Sequence, residues 1–260
     1  MANSQKPIIV IIPGAYHTPF QYRKISDSLR AGGYEVISSS HIVCSDDVDP
    51  EKTFFDDAAA YRKKLIPFLD QGKNAVIVSH SYGSLPAVHT VQGQTVAERA
   101  ERGLIGGIVG VVNIAGFVFP ARGKGIKGDD QIDPPPPFQL VKDGIAHLQD
   151  GAKPLFFGGL TPEEIEFEWA HLEKKQTRKS FTVFPQYVES EIQCPKTYIL
   201  CEQDEAVPPA FQEQMARLGG YDIVRLDSAH APFLTIPQEV VAIIEKVADS
   251  SSSSSSGNGN

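Results

Sequence analysis

Ser81 stands in the run Val78-Ser79-His80-Ser81-Tyr82-Gly83-Ser84, directly after the apolar stretch 75–78 and directly before a helix-like segment reaching about residue 90. This is the spacing of a nucleophile elbow, G-x-S-x-G, with Ser79 in place of the first glycine. A tight strand-to-helix turn lifts the serine oxygen above a sheet, and small residues two before and two after it let the strained backbone pack. A serine hydroxyl is a weak nucleophile near neutral pH, so it needs a base that an acid holds in one tautomer. On such a scaffold the acid and then the base follow downstream, each in a loop after a later strand. Asp204, after the apolar run 197–201, and His230, after 223–226, stand in that order and in those loops. Asp204 also suits a cap on a helix starting near Pro208-Pro209, and Glu202 and Glu205 are close enough in sequence to be the acid instead. His230 is the only histidine after the last expected strand.

Acyl transfer further requires backbone N–H groups aimed at the developing oxyanion. The expected donors are the residue after the nucleophile, Tyr82, and Ala15 in the loop after the first strand, where Gly14 gives the turn room. Gly14, Tyr16, His17 and Trp169 are the substrate-binding candidates, with His17 at the pocket mouth. His80 is expected to fill a structural slot beside the elbow, and His41, His89, His147 and His171 fall on surface or inserted segments with no visible partner.

The elements that position these groups follow from apolar patterning. The continuous β-branched run 7–12 reads as a strand covered on both faces in a parallel sheet. A helix over 19–29, a strand over 34–38, a helix from Asp49 or Glu51 to Leu69, and strands over 75–78 and 104–114 continue the alternation. That rhythm argues for a mostly parallel sheet with helices on its faces. It breaks from 117 to 193, where helix-like stretches near 137–148 and 162–175 read as a helical cap. It resumes with a strand over 196–201, a helix over 209–218, a strand over 222–226 and a helix over 237–248. The expected organisation is an α/β core over 1–116 and 194–248, a cap over 117–193, and a disordered serine-rich tail over 249–260.

With 260 residues, 41% apolar and 22% charged, the chain has the composition of an ordinary globular domain. The formal charge of -8 disfavours nucleic acid and anionic lipid as partners. Its first residues lack the basic-then-apolar design of a signal peptide, and no run is long enough to span a bilayer, so a cytoplasmic location is expected. Cys44, Cys194 and Cys201 have no metal-ligand spacing and read as buried reduced thiols. No phosphate-binding glycine loop follows a strand, so no metal, nucleotide or other cofactor is expected.

The stretches 8–22 (IIVIIPGAYHTPFQY), 75–84 (AVIVSHSYGS), 196–208 (KTYILCEQDEAVP) and 226–237 (LDSAHAPFLTIP) resemble the α/β-hydrolase superfamily, and within it the methylesterase and hydroxynitrile-lyase group. The resemblance covers nearly the whole chain apart from the tail and is weakest in the cap. It implies Ser81, Asp204 and His230 as a triad and the Ala15 and Tyr82 amides as the oxyanion hole. The group's lyases carry a threonine and a lysine where this chain has Gly14 and Ala231, which favours an esterase over a cyanide-releasing enzyme. Pro13 for the usual histidine and Ser79 for glycine are further departures. The expected activity is cofactor-independent hydrolysis of a carboxylic ester or lactone of a small apolar or aromatic molecule. Two other readings stay open: cleavage or cyclisation of a β-keto compound with the same triad, and a small-molecule receptor on a hydrolase fold. A homodimer also stays open.

Overall fold

The computed structural model describes residues 6–253. The first strand β1 (Ile8–Ile12) is followed by a single 3-10 turn and helix α1 (Arg23–Ala31), then β2 (Val36–Ser38), α2 (Phe54–Leu69), β3 (Asn74–His80), α3 (Ser84–Val91), α4 (Val96–Ala100) and β4 (Gly107–Ile114). An insertion carries β5 (Gln139–Lys142), β6 (Ile145–Leu148), α5 (Lys153–Phe156), α6 (Pro162–Ala170) and β7 (Lys175–Thr177). The chain returns with β8 (Lys196–Cys201), α7 (Pro209–Leu218), β9 (Asp222–Leu226), α8 (Pro232–Thr235) and α9 (Pro237–Ser253).

Six strands form one sheet in the order β2-β1-β3-β4-β8-β9, every pair parallel. Side chains alternate between its faces. Ile9 and Ile11 join Ile25 and Leu29 of α1 and Ile244 of α9, while Ile8, Val10 and Ile12 join Tyr61 and Leu65 of α2 and Val88 of α3. Full burial of each such side chain contributes roughly 1.5–3 kcal/mol. The parallel order places the carboxyl ends of β1, β3, β8 and β9 along one edge, and the loops leaving that edge carry Ala15, Ser81, Asp204 and His230.

Several boundaries differ from the sequence expectation, each for a local reason. Helix α2 begins at Phe54, not near Asp49 or Glu51, because Thr53 caps it: the Thr53 hydroxyl accepts from the Phe55 amide and Asp56 accepts from the Thr53 amide. The second strand keeps only Val36–Ser38, and β4 starts at Gly107 because Gly103 and Gly106 turn the chain with positive φ, leaving Leu104 and Ile105 exposed. The insertion is not purely helical. The stretch expected as helix near 137–148 is the β5–β6 hairpin, turned by Asp143-Gly144 with φ of 51° and 77°. This is the Asp-Gly signature of a tight hairpin between extended segments. Strand β7 adds antiparallel to β6, so the helix expected over 162–175 stops at Ala170. Helix α9 runs to Ser253, so the first residues of the expected disordered tail are helical, and 254–260 lie outside the described residues. Among the described residues no helix is long and apolar enough to cross a membrane.

Candidate active site

Strand β3 ends at His80, and Ser81 opens a one-turn 3-10 segment leading into α3. Ser81 has φ 51°, the left-handed region that side chains rarely adopt, so the tight turn expected from the spacing carries real backbone strain at this residue. Gly83 makes the turn possible. A Cβ there would lie 2.3 Å from the Pro13 carbonyl oxygen and 2.4 Å from that of Ile12. Ser79 fits where glycine is usual because its hydroxyl turns away and donates to Asn113 Oδ1 at 3.1 Å on the neighbouring strand. Gly14 is likewise crowded, with a Cβ there meeting His80 Nδ1 at 2.7 Å.

His230 Nδ1 lies 2.7 Å from Asp204 Oδ2, and both residues are buried. A carboxylate accepts, so the proton sits on Nδ1 and the lone pair on Nε2. The Asp204 carboxylate also accepts from the Ala206 and Val207 amides at 2.8 and 2.9 Å and from Gln212 Nε2 at 2.9 Å. Four donors hold it in one orientation. Glu202 and Glu205 are exposed on either side and do not reach the imidazole. Asp204 therefore pairs with His230 and braces its own turn, but it does not cap the helix that starts at Pro209, whose N-cap residue is Pro208 with no side-chain cap.

Ser81 and His230 share one cavity wall with Ala15 and Tyr82. The Ser81 hydroxyl has no hydrogen-bond partner among the described residues, a common condition in a ligand-free site. The cavity measures about 250 Å³; of the aromatics between β4 and β8, Phe117, Phe119, Phe138, Phe156, Phe181 and Phe184 face it, whereas Phe157, Phe167 and Trp169 do not.

The other substrate-binding candidates are displaced from the cavity wall. Tyr16 is fully buried at φ 63°, its amide donating to Gln176 Oε1 at 3.1 Å, so it ties the loop after β1 to the insertion. His17 is not at the mouth. It is buried with Nδ1 at 2.8 Å from the Ala15 carbonyl, its ring packed on His80, Phe156 and Phe157. Burial pushes its pKa down to about 3. Trp169 lies in the insertion beneath the ammonium groups of Lys153 and Lys174. Gly14 lies behind the wall, its amide donating to Tyr22 Oη at 2.8 Å.

Two buried networks flank the elbow. On one side Tyr22 Oη is 2.8 Å from His80 Nδ1, and His80 Nε2 is 2.9 Å from the His230 carbonyl. That carbonyl only accepts, so His80 carries its proton on Nε2 and accepts a hydrogen bond from the Tyr22 hydroxyl at Nδ1. On the other side the Tyr82 hydroxyl donates to Asp57 Oδ2 at 2.9 Å, and the Ile42 and Val43 amides donate to Asp57 Oδ1. His41 Nδ1 lies 3.2 Å from Asp57 Oδ2, while its Nε2 donates to the Pro13 carbonyl at 2.8 Å. His41, expected at the surface, is instead buried between the two loops that leave β1 and β3. The sequence held one sign of this: Asp57 falls on the buried stripe Phe54, Asp57, Ala58, Tyr61, Leu65 of α2, where a carboxylate needs a partner.

Among the described residues no group of three or more His, Cys, Asp or Glu is placed to hold a metal ion. A family model described as "Alpha/beta hydrolase family" matches residues 9–243. The chain belongs to the alpha/beta hydrolase family. It is 29% identical over 250 residues to the alpha/beta hydrolase nvfD of Aspergillus novofumigatus, covering 94% of this chain and 97% of that one. Among solved structures it is similar to polyneuridine aldehyde esterase at TM-score 0.73 and 15% identity, covering 94% of this chain and 99% of that one. It is also similar to a pyrethroid hydrolase from Sphingobium faniae at TM-score 0.69 and 18% identity, over 94% and 97% of the two chains. A methylesterase from Arabidopsis matches at TM-score 0.67 and 16% identity, over 94% and 99%. At these identities the structural likenesses concern the fold.

Proposed function

We propose that this alpha/beta hydrolase is a cofactor-independent serine esterase or lactonase acting on a small, largely apolar molecule. The observation that carries the reading is the placement of Ser81, at a strained φ of 51°, on one cavity wall with His230, whose Nδ1 proton is engaged by Asp204. His230 Nε2 takes the Ser81 proton as Oγ attacks the ester carbonyl, and the Ala15 and Tyr82 amides receive the oxyanion. The imidazolium then protonates the departing alkoxide, giving an acyl-Ser81. Water deprotonated by His230 attacks the acyl carbon, and the acid leaves with the serine oxygen restored to its proton. Asp204 holds the imidazole and balances its transient charge. The structural neighbours, polyneuridine aldehyde esterase, a pyrethroid hydrolase and a methylesterase, point the same way.

The test is a p-nitrophenyl ester chain-length series on wild type and Ser81→Ala, with mass detection of a fluorophosphonate adduct on Ser81. Turnover should fall by at least about a thousandfold in the variant. Full turnover in Ser81→Ala would overturn the mechanism. An adduct without ester turnover would move the reading to carbon–carbon cleavage of a β-keto compound.

A further inference from the structure

We propose that Arg178 receives an ionised carboxylate of the substrate, so that the natural substrate is an ester or lactone that carries a second, acidic group. The proposal rests on the serine-hydrolase reading above and narrows its substrate class.

Arg178 lies just after β7 and reaches the cavity that holds Ser81 and His230. Its guanidinium donates one N–H to the Asp133 backbone carbonyl, and among the described residues it takes part in no ion pair. The Asp133 carboxylate is committed elsewhere, to Lys127 Nζ. Arg99 is paired with Asp70 and Arg23 with Glu168, whereas Arg62, like Arg178, meets backbone carbonyls only, but it does not line this cavity. Among the described residues no lysine lines this cavity, so Arg178 is its one permanently cationic side chain; Asp133 lines it too, and most of the remaining wall is apolar. Arg178 is half-buried, so water reaches its charge, and apart from the N–H on the Asp133 carbonyl its guanidinium donors face no protein carboxylate among the described residues. Its planar fork of N–H donors matches a carboxylate in two parallel hydrogen bonds.

Gln139 supplies a second, separate observation on the same wall. It is 9% exposed, lines the cavity, and its side-chain Oε1 has no hydrogen-bond partner among the described residues. Gln139 pairs with Leu148 at the open end of the β5–β6 hairpin, whereas Arg178 bonds to Gly144 at its turn, so the unpaired amide oxygen marks a second, donor-bearing point on the ligand, apart from its anionic end. The overall charge of -8 repels an anion at long range, so selection of an acidic substrate must come from a local contact of this kind.

The experiment compares half-esters with their neutral counterparts: mono-p-nitrophenyl succinate, adipate, suberate and sebacate against the p-nitrophenyl esters of the monocarboxylic acids of equal length. Binding of the intact compounds to Ser81→Ala is followed by calorimetry, and turnover is measured on wild type, Arg178→Gln and Arg178→Lys. At the chain length that spans Ser81 to Arg178, the acid should be preferred by about tenfold or more, as for a charge-assisted hydrogen bond. The preference should vanish in Arg178→Gln and return in part in Arg178→Lys, which keeps the charge but not the fork. Equal binding of acid and neutral compounds at every length, absence of binding by any of them, or a preference that survives Arg178→Gln would overturn the proposal. Loss of wild-type turnover on the whole series would instead strike the esterase reading, while the calorimetric comparison would still decide the role of Arg178.

Discussion

His80, one residue before Ser81, and His41, reached through Tyr82 one residue after it, are enclosed to the same depth yet lean toward opposite charge states. Burial and the neighbouring His230 and His17 hold the His80 pKa well below the usual histidine value, and its partners are a phenol and a carbonyl that suit a neutral ring. Burial alone would also lower His41, but the Asp57 carboxylate, together with the Pro13 carbonyl, outweighs it and raises the pKa. Depth therefore does not set the charge of a buried histidine; the partner does. The two arms serve different needs on the proposed mechanism. The His80 ring centroid is 4.6 Å from that of His230, where a fixed positive charge would oppose imidazolium formation in the base. The His41–Asp57 arm is farther along the elbow and joins the Pro13 backbone to the Tyr82 hydroxyl, spanning the two loops that would supply the oxyanion amides.

The largest expected effect breaks the charged arm. Asp57→Asn leaves the His41 ring without its carboxylate, and losing one partner of a buried pair should destabilise by about 3–5 kcal/mol. The urea midpoint measures this, and an Asp57→Asn/His41→Gln double variant should lose less than the sum of the two single losses. Strict additivity would show that the two residues do not act as a pair.

A second effect appears in acid. The folded-state pKa of His17 is about 3, below its unfolded value near 6.5, so between those pH values the unfolded chain binds the proton and the folded chain does not. Stability should therefore fall as pH is lowered through that window, by about 1.4 kcal/mol per pH unit for this one group. His41 has the opposite sign: its contribution is complete below the unfolded value and is lost as pH rises through its raised folded-state value. The slope of unfolding free energy against pH in His17→Asn checks the first statement, whatever that variant does to absolute stability. An unchanged slope between pH 6 and 4 would mean that His17 takes up its proton in the fold.

The six-stranded core and the insertion between β4 and β8 differ in how far they could be read from residues alone. Strand β1 is unambiguous because five consecutive β-branched residues covered on both faces allow no other assignment. Ser81, Asp204 and His230 stand at the ends of β3, β8 and β9, and their order along the chain located them even though β9 is a partly exposed edge strand. The β5–β6 hairpin was missed because its strands alternate weakly and the Pro-rich approach hides the Asp143-Gly144 turn, the one strong local signal. Tyr16 and His17 face away from the cavity for a different reason. Which side chain of a loop faces a cavity and which faces the interior depends on the backbone direction, and the positive φ of Tyr16 reverses it there. Arg178 left no trace, since an arginine is informative only when its lack of a carboxylate partner can be seen.

The smallest effect tests the neutral arm. Tyr22 accepts from the Gly14 amide and donates to His80 Nδ1, so Tyr22→Phe leaves one buried donor and one buried acceptor unpaired without altering any charge. A stability loss of about 1–2 kcal/mol is expected, seen as a fall of roughly 2–6 °C in Tm for a domain of this size. Gly14 adjoins Ala15, so kcat on a p-nitrophenyl ester should drop while KM stays within about twofold, because an oxyanion donor acts on the transition state more than on bound substrate. A KM increase with kcat intact would locate the role of Tyr22 in the pocket wall instead. A stability loss as large as that of Asp57→Asn would show that hydrogen bonds alone match a buried ion pair here, and the contrast between the two arms would no longer rest on charge.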